Sequence, residues 1–186
     1  MSKGRSYNPK GQLLQVAQLG HPILRKKASK VKDVKDVSVQ ILINDLKTTA
    51  MDVDGVGISA PQVYNSIRLF VIASHPNPGS PKAPYMKPTP VINPYILNYS
   101  KEKVKDWEGC LSVPGIRALV PRHNKITVSY TTEDGTVVKK QYKDFIARIF
   151  QHEYDHLNGL VFLDRIEATK DIISEIEYQK MMKKKK

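Results

Sequence analysis

The spacing of apolar residues along the chain predicts two α-helices. Between residues 37 and 52, apolar side chains recur every three to four positions with polar residues between them, the pattern of a helix with one buried face. Similar spacing covers residues 144–157, where Asp144 is expected to cap the first free N–H groups and Asn158-Gly159 to end the helix. Because this second helix is largely apolar, we expect most of it to be buried.

Apolar runs and two-residue alternation predict the β-strands. Residues 68–74 form an apolar run typical of a buried strand, and residues 91–99 form a strand that a proline interrupts. Residues 126–142 alternate on both sides of an acidic turn that ends in glycine, which predicts a hairpin. Residues 75–90 contain six of the twelve prolines and no acid, so we expect an extended loop there.

These elements predict an α+β architecture, in which mixed or antiparallel strands surround the central helix of residues 144–157. The segment 169–186 is expected to form a C-terminal helix, about residues 169–182, with a lysine tail. A chain of 186 residues can bury one substantial core. Residues 1–186 are therefore expected to form a single domain, with a basic arm at residues 1–12.

Composition narrows the class of protein. Hydrophobic residues make up 40% of the chain, and no apolar run approaches the length of a membrane span or of a signal peptide. The single cysteine excludes an internal disulfide and fits a reducing compartment. We therefore expect no membrane partner and a location in the bacterial cytoplasm, with an organelle as the alternative.

The charge of the chain is strongly positive. Basic residues outnumber acidic ones by 30 to 18, which gives a net charge of +12. Residues 1–35 hold nine lysine or arginine residues against one acid, and four lysines close the chain. Such clusters attract the phosphate backbone of nucleic acids without reading its sequence. Either they contact RNA, or they serve only to keep the chain in solution.

Two histidines and a glutamate in the segment Gln151–His156 predict a metal site. On a helix, His152 and His156 lie one turn apart on the same face and can share an ion. Glu153 then projects beside the ion, where it can take a proton from a water molecule. The alternative is a structural helix that carries two incidental histidines.

The one cysteine, Cys110, is a candidate third ligand. A catalytic metal usually has three protein ligands and an open position for water. Cys110 is either an inert buried thiol or a thiolate offered from a strand that ends near Pro114-Gly115. A thiolate beside two imidazoles suits zinc or ferrous iron and argues against magnesium or calcium.

A glycine-rich segment, Gly55–Gln62, is a candidate ligand-binding loop. Gly55 and Gly57 permit unusual dihedral angles and the close approach of another chain. The segment lacks the third glycine of a dinucleotide-binding fingerprint, and Pro61 would interrupt the helix that such a fingerprint needs. A rigid loop that offers backbone groups and the Gln62 carboxamide to a ligand fits the residues better.

Three segments together resemble the motifs of the peptide deformylase family: GVGISAPQ (55–62), EGCLS (108–112) and QHEYDH (151–156). They follow that family's order and spacing, and the resemblance covers roughly residues 13–168. Two positions depart from the usual pattern, namely Ser59, where many members have alanine, and Tyr154, where methionine or leucine is common. Both changes leave the expected chemistry intact.

The resemblance implies a metal-dependent hydrolase that removes the N-formyl group from the initiator methionine of nascent polypeptides and releases formate. The implied ligands of one divalent ion are Cys110, His152 and His156. Ferrous iron is the expected physiological ion, with zinc, nickel and cobalt as alternatives. The ion activates a water molecule, and Glu153 acts as general base and then general acid. The Gln62 side chain and the Leu111 backbone N–H are the implied donors to the oxyanion.

A further set of residues is expected to bind the substrate: Gly55, Val56, Gly57, Ile58, Arg117, Phe145, Arg148 and Ile149. Apolar members of this set would line a pocket for the methionine side chain. The substrate backbone would add as a strand along residues 55–58 and 116–117. If Arg148 points inward, its aliphatic stem would cover part of the pocket while its charged head reaches solvent.

Two acidic residues are expected to support the site. We predict that Asp155 pairs with Arg122 and so holds the helix against the strand that follows Cys110. Glu108 is expected to orient the cysteine loop or a water molecule. Beyond the substrate, the resemblance implies a ribosomal partner, which the basic tail would contact through ribosomal RNA. No DNA partner is expected.

Two rival functions explain part of the same pattern. A zinc peptidase of the thermolysin type also uses HExxH, and Glu175 or Glu177 lies at the right distance to be its third ligand. A non-catalytic ribosome- or RNA-binding protein could keep the metal for stability, although structural zinc sites normally have four protein ligands. Neither rival accounts for both the cysteine segment and the glycine segment.

Overall fold

A computed structural model describes residues 11–77 and 81–184, in which seven strands lie between the first two α-helices. The elements are α1 (Val37–Asp52), β1 (Gly57–Ser59), β2 (Leu69–Ile72), β3 (Thr89–Tyr99), β4 (Lys103–Cys110), β5 (Val113–His123), β6 (Lys125–Thr131), β7 (Val137–Lys143), α2 (Asp144–His156), β8 (Ile172–Ser174) and α3 (Glu175–Lys184). Four short 3-10 helices join them: Pro22–Arg25, Ala60–Val63, Phe162–Arg165 and Thr169–Asp171. In these described ranges, no helix is long and apolar enough to cross a membrane.

The strands form two antiparallel sheets. One sheet has the order β1-β2-β3-β6-β7 and the other has the order β4-β5-β8. Every pair of neighbouring strands is antiparallel. The α+β prediction is therefore confirmed. Strands β1 and β4 lie at the edges of their respective sheets, so each has a free edge for another extended chain.

Most predicted elements agree with the structure. Helix α1 has the predicted bounds, and Asp36 caps it by accepting from the Ser38 N–H. Strands β6 and β7 pair as the predicted hairpin. The register of β3 shifts between Ile92 and Tyr95, beside the proline that was expected to interrupt this strand.

Helix α2 packs against strands of both sheets. It contacts β1, β2, β6 and β7 of the larger sheet and β5 of the smaller one. Its residues Ala147, Ile149 and Phe150 are buried in a cluster with Phe70 and Tyr130. The apolar sides of α2 thus fix its position, and its polar residues are left to build a site between the sheets.

The predicted cap of α2 is wrong. Asp144 is the first helical residue and has a positive φ of 51°, and no side chain caps the helix at Lys143 before it. The backbone N–H of Asp144 donates to the carbonyl of Asn124 at 2.8 Å. Because β7 runs directly into α2, the carbonyl of Asn124, between β5 and β6, accepts from this N–H in place of a side-chain cap.

The predicted C-terminal helix is wrong in its first half. Residues 172–174 form β8, which pairs with β5 so that Arg117 lies opposite Ile173, and the helix begins at Glu175. Two consecutive isoleucines favour a strand when a sheet edge is available. The lysine tail is described to Lys184, whereas its last two residues and the N-terminal arm to residue 10 lie outside the described residues.

Candidate active site

Three predicted ligands converge where β4 meets α2. Cys110 ends β4, and the two histidines lie one turn apart on α2. One ligand atom from each of Cys110, His152 and His156 lies within 4.8 Å of the others. The Cys110 Sγ lies 3.3 Å from the Nε2 of His156. Among the described residues, no other group of histidine, cysteine and acidic side chains comes together in this way.

The donor set fits a divalent transition metal. One thiol and two imidazoles are ligands that zinc and ferrous iron accept. The Nδ1 of His152 lies 2.9 Å from the Oε2 of Glu108, which leaves its Nε2 for an ion. Burial works against charge on His152, yet its contacts with Cys110 and Glu108 outweigh burial and raise its pKa well above the usual value. Glu108 and Cys110 therefore favour a positive charge at the His152 ring.

Glu153 lies beside the three donors and is almost fully enclosed. It is 3% exposed, and its Oε2 has no hydrogen-bond partner among the described residues. Burial raises the pKa of Glu153 to about 7. A Cβ atom at Gly57 would lie 2.7 Å from the Glu153 Oε1, so the absence of a side chain at Gly57 makes room for this carboxylate.

Gln62 is held with its amide nitrogen toward the cysteine. Its Oε1 accepts from the backbone N–H of Ser59 at 2.9 Å and from the Ser59 hydroxyl at 3.0 Å. Since a backbone N–H can only donate, the oxygen must be on the Ser59 side. The Nε2 then lies 3.4 Å from the Cys110 Sγ and 3.2 Å from the Ser112 Oγ.

A buried network of charges lies behind the histidines. Arg122 binds both oxygens of Glu108 at 2.9 and 3.0 Å and the Oδ2 of Asp155 at 2.5 Å. Arg165 binds the same aspartate from the other side. The predicted pair of Asp155 and Arg122 is confirmed. Burial opposes ionisation of Glu108, but the charge of Arg122 and the hydrogen bond from His152 hold its pKa below the usual value.

Glu108 has a different contact from the one predicted. It was expected to orient the cysteine loop or a water molecule, whereas its carboxylate lies against His152 and two arginines. The reason is geometric, because Glu108 and Cys110 both face α2, where Glu108 contacts His152 and Cys110 contacts His156. Glu108 thus ties a candidate ligand to the buried charges.

The predicted orientation of Arg148 is wrong. Its guanidinium does not reach solvent; the residue is 7% exposed and binds the Oε1 of Glu108 at 2.8 Å. It also donates to the carbonyls of Val120 and Val104 at 2.8 and 2.6 Å. Arg148 still lines the cavity, and its guanidinium holds β4 and β5 against α2.

A cavity of about 460 Å³ opens onto two of the three donors, Cys110 and His152. Among the residues expected at the substrate site, its wall includes Gly55, Val56, Gly57, Arg117, Phe145, Arg148 and Ile149. Gln62, Leu111 and Glu153 also line it, together with Cys110 and His152. The prediction for Ile58 is wrong in one respect, because its side chain is fully buried in the core with α1 and does not reach the cavity.

The predicted substrate path along residues 116–117 is also wrong. That segment belongs to β5, whose two neighbours are β4 and β8. Because β8 already pairs with Ile116 and Arg117, no edge remains there for a substrate strand. The free edges beside the cavity belong to β1 and β4.

Comparison with known proteins decides the family. The sequence matches the family described as "Polypeptide deformylase" over residues 13–171. The chain belongs to the peptide deformylase family. It is 53% identical over 173 residues to "Peptide deformylase 2" of Nostoc sp., which covers 93% of this chain and 97% of that protein.

Solved structures of peptide deformylases agree with this fold. The Met-Ala-Ser-bound class I type b enzyme of Acinetobacter baumannii has a TM-score of 0.81 and 42% identity, over 83% of this chain and 98% of that chain. A deformylase of Synechococcus elongatus, solved with actinonin, has a TM-score of 0.77 and 31% identity, over 92% and 90% of the two chains. The chain is therefore an enzyme of this family.

Neither of the two rival functions fits the geometry of this chain. Glu175 binds the Nε of Arg117 at 2.5 Å, and Glu177 pairs with Lys180 on the surface. Neither acid joins the group that could hold a metal among the described residues. The thermolysin-type interpretation is therefore wrong. A non-catalytic RNA-binding protein is not supported either, because the family consists of enzymes that act on nascent peptides.

The residues that sequence reasoning missed in the cavity wall of this deformylase include two on α3. Glu175 and Gln179 of α3 form part of its wall. The predicted helix began six residues too early, which placed both in a lysine-rich surface segment. The paired isoleucines at 172 and 173 were the signal that could have shown where the chain turns toward the site.

Proposed function

We propose that Cys110, His152 and His156 hold one divalent ion at which this deformylase hydrolyses the formyl group of formylmethionyl peptides. The proposal is carried by the convergence of these three donors beside a cavity that Cys110, His152 and Glu153 line. When bound, the ion would supply positive charge that activates a water molecule and polarises the formyl carbonyl. Ferrous iron is the proposed physiological ion, and zinc, nickel or cobalt can use the same donors.

Glu153 moves the proton in this proposal. Its Oε2, which lacks a partner among the described residues, takes a proton from the attacking water and passes it to the departing amine. Gly57 supports this role, because a side chain there would push the carboxylate away from the donors. The enclosure of Glu153 also excludes other water molecules that would compete for the proton.

Two groups stabilise the negative charge that grows on the formyl oxygen. The Nε2 of Gln62 is one donor, and its orientation is fixed by Ser59. The backbone N–H of Leu111 is the other, since this residue lies in the turn between β4 and β5 and lines the cavity. One such donor is typically worth about 3 kcal/mol in the transition state.

The substrate is proposed to lie between the free edges of β1 and β4. Peptide backbones add to such edges by main-chain hydrogen bonds, which give affinity without reading sequence. Val56, Phe145 and Ile149 supply apolar surface for the methionine side chain. Arg117 also lines the cavity, and the peptide is proposed to leave the cavity past its guanidinium.

The proposed partners are formylmethionyl nascent chains and the ribosome that makes them, in the bacterial cytoplasm. Lysines at the end of α3 and in the following tail support a contact with ribosomal RNA, because they concentrate positive charge on an exposed helix end.

Formate release from formyl-Met-Ala-Ser under anaerobic conditions tests the reaction, with metal content measured on the same sample. We expect Glu153→Gln to keep the metal and to abolish turnover, and Cys110→Ser to lower metal content. Glu177→Gln, an exposed acid paired only with Lys180, is the matched control for both. Full turnover by Glu153→Gln, or unchanged metal content in Cys110→Ser, would refute the assigned roles.

A further inference from the structure

The guanidinium of Arg117 is enclosed on several sides. Its Nε donates to the Oε2 of Glu175 at 2.5 Å, and its Cζ lies 5.0 Å from the centre of the Tyr178 ring. On another side it packs against the backbone of Gly109, where an added Cβ would lie 2.9 Å from the Cζ. A long flexible side chain is thus held in one place by α3 and by the residue that precedes Cys110.

Helix α3 is itself anchored at this point. Tyr178 is 5% exposed and packs edge-on against Trp107 of β4, with ring centres 5.6 Å apart. Gln179 donates to the Oε1 of Glu175 at 2.6 Å. Burial would raise the pKa of Glu175, but the hydrogen bonds from Arg117 and Gln179 outweigh it and lower the pKa. The carboxylate is therefore ionised at neutral pH.

This cluster forms part of the cavity wall. Arg117, Glu175 and Gln179 line the same cavity as Cys110 and Glu153. Glu175 occupies the Nε of Arg117, and the two Nη groups make no hydrogen bond to any described residue. Because Glu175 neutralises the guanidinium, the free donors suit a neutral peptide carbonyl better than a second carboxylate.

We propose that Glu175 is a positioning residue that fixes Arg117 as a receptor for backbone carbonyls of the substrate beyond its methionine. Helix α3 then sets the affinity for longer peptides without taking part in the chemistry at the formyl group. This inference rests on the proposed function, since it assumes that the methionine end of the peptide lies near Cys110 and Glu153.

Two substrates of different length separate this role from a purely structural one. In the proposed binding mode, formyl-Met-Ala-Ser reaches Arg117, whereas formyl-Met-amide ends before it. We expect Glu175→Ala to raise KM for the longer substrate about tenfold, to change kcat less than twofold, and to leave both constants for formyl-Met-amide unchanged. Glu175→Gln keeps an acceptor for the Nε and should recover part of the loss.

A double variant tests whether Glu175 acts through Arg117. Arg117→Ala should raise KM for formyl-Met-Ala-Ser as Glu175→Ala does, and the double variant should be no worse than Arg117→Ala alone. Glu177→Ala, two residues along the same helix and exposed, is the control. Equal KM changes for both substrates, a loss of kcat on both, or additive effects in the double variant would overturn the proposal.

A binding measurement keeps this test independent of turnover. Calorimetric titration with the product peptide Met-Ala-Ser and with methioninamide should show about tenfold weaker binding of the tripeptide to Glu175→Ala and no change for methioninamide. The titrations are run at a temperature at which every variant is folded. If the wild-type chain releases no formate, the proposed function fails, whereas unchanged tripeptide binding in Glu175→Ala refutes the role of α3 alone.

Discussion

The Oε2 of Glu108 lies 2.9 Å from the Nδ1 of His152, and the same carboxylate binds two buried arginines. A candidate metal ligand is therefore oriented by a group whose own position depends on the charge network between β4, β5 and α2. Both residues of the contact have nearly buried side chains, 11% and 4% exposed, so water screens it little. We therefore expect metal affinity and fold stability to be coupled through the carboxylate of Glu108.

Glu108→Gln should lower both the stability of the fold and the affinity for zinc. A glutamine cannot satisfy Arg122, Arg148 and His152 at once, and it leaves buried positive charge without compensation. We expect about 3 kcal/mol less stability and zinc affinity lower by about 10- to 100-fold. Urea unfolding and competition with a chelator measure the two effects. Glu102→Gln, exposed just before β4, is the control, and unchanged zinc affinity in Glu108→Gln would contradict the coupling.

Gln62→Met should slow the chemical step. Methionine keeps the length of the side chain but removes the Nε2 donor that lies near Cys110. We expect kcat to fall about 100-fold with little change in KM, because the lost interaction belongs to the transition state. Steady-state formate release measures both constants. A kcat within threefold of the wild-type value would exclude Gln62 as an oxyanion donor.

Ser59→Ala should have a much smaller effect than loss of Gln62. The Ser59 hydroxyl is one of two donors to the Gln62 Oε1, and the backbone N–H remains in the variant. One neutral hydrogen bond is worth about 1 kcal/mol, so kcat should fall no more than about fivefold. Ser74→Ala, which removes another buried hydroxyl that donates to the Pro84 carbonyl, should leave kcat unchanged. A 100-fold loss in Ser59→Ala would show that the hydroxyl alone orients the amide.

Helices α1 and α2, the hairpin, and the placement of His152 and His156 on one helix face could be predicted because each depends on local spacing. Two histidines four residues apart share a helix face wherever that helix lies, and alternation fixes a hairpin before its partners are known. The position of Glu108 against His152 could not be predicted, since it depends on how β4 approaches α2 across 44 residues of sequence. Only the tertiary arrangement brings such groups together.

The errors at the C-terminus share one physical cause. Residues 172–174 became a strand because β5 offered them an edge, and that pairing then closed the path predicted for the substrate. A helical interpretation of the isolated segment was reasonable by composition, but strand propensity depends on what is available to pair with. The same event brought Glu175 to the cavity wall.

Gly57→Ala should displace the carboxylate of Glu153. The new Cβ would lie 2.7 Å from the Oε1 and 3.1 Å from the Cδ, so the side chain must move. Because a displacement of about 1 Å can cost about 100-fold in rate, we expect a loss of that size in kcat with metal content retained. Adding Glu153→Asp, which shortens the side chain, should cost less in the Gly57→Ala background than in the wild-type chain. Additive losses would argue against a direct clash.

Removal of residues 180–186 should weaken ribosome binding at low salt without affecting turnover of formyl-Met-Ala-Ser. The truncation removes five lysines but keeps Tyr178 and Gln179, which anchor α3 at the cavity. A plot of log affinity against log salt concentration has a negative slope, and each lost phosphate contact makes that slope shallower by about 0.7 to 0.9. Sedimentation with ribosomes across a salt series measures that slope.

The matched control for this truncation changes charge elsewhere on the surface. Lys139→Gln with Lys140→Gln removes two exposed charges from β7, distant in sequence from the tail, and should leave the salt slope unaltered if the tail is the contact. Equal loss of ribosome binding in this variant would indicate attraction to the net charge of +12 and not to a defined end of α3. Unchanged ribosome binding after the truncation would mean that the tail serves only to keep the chain in solution.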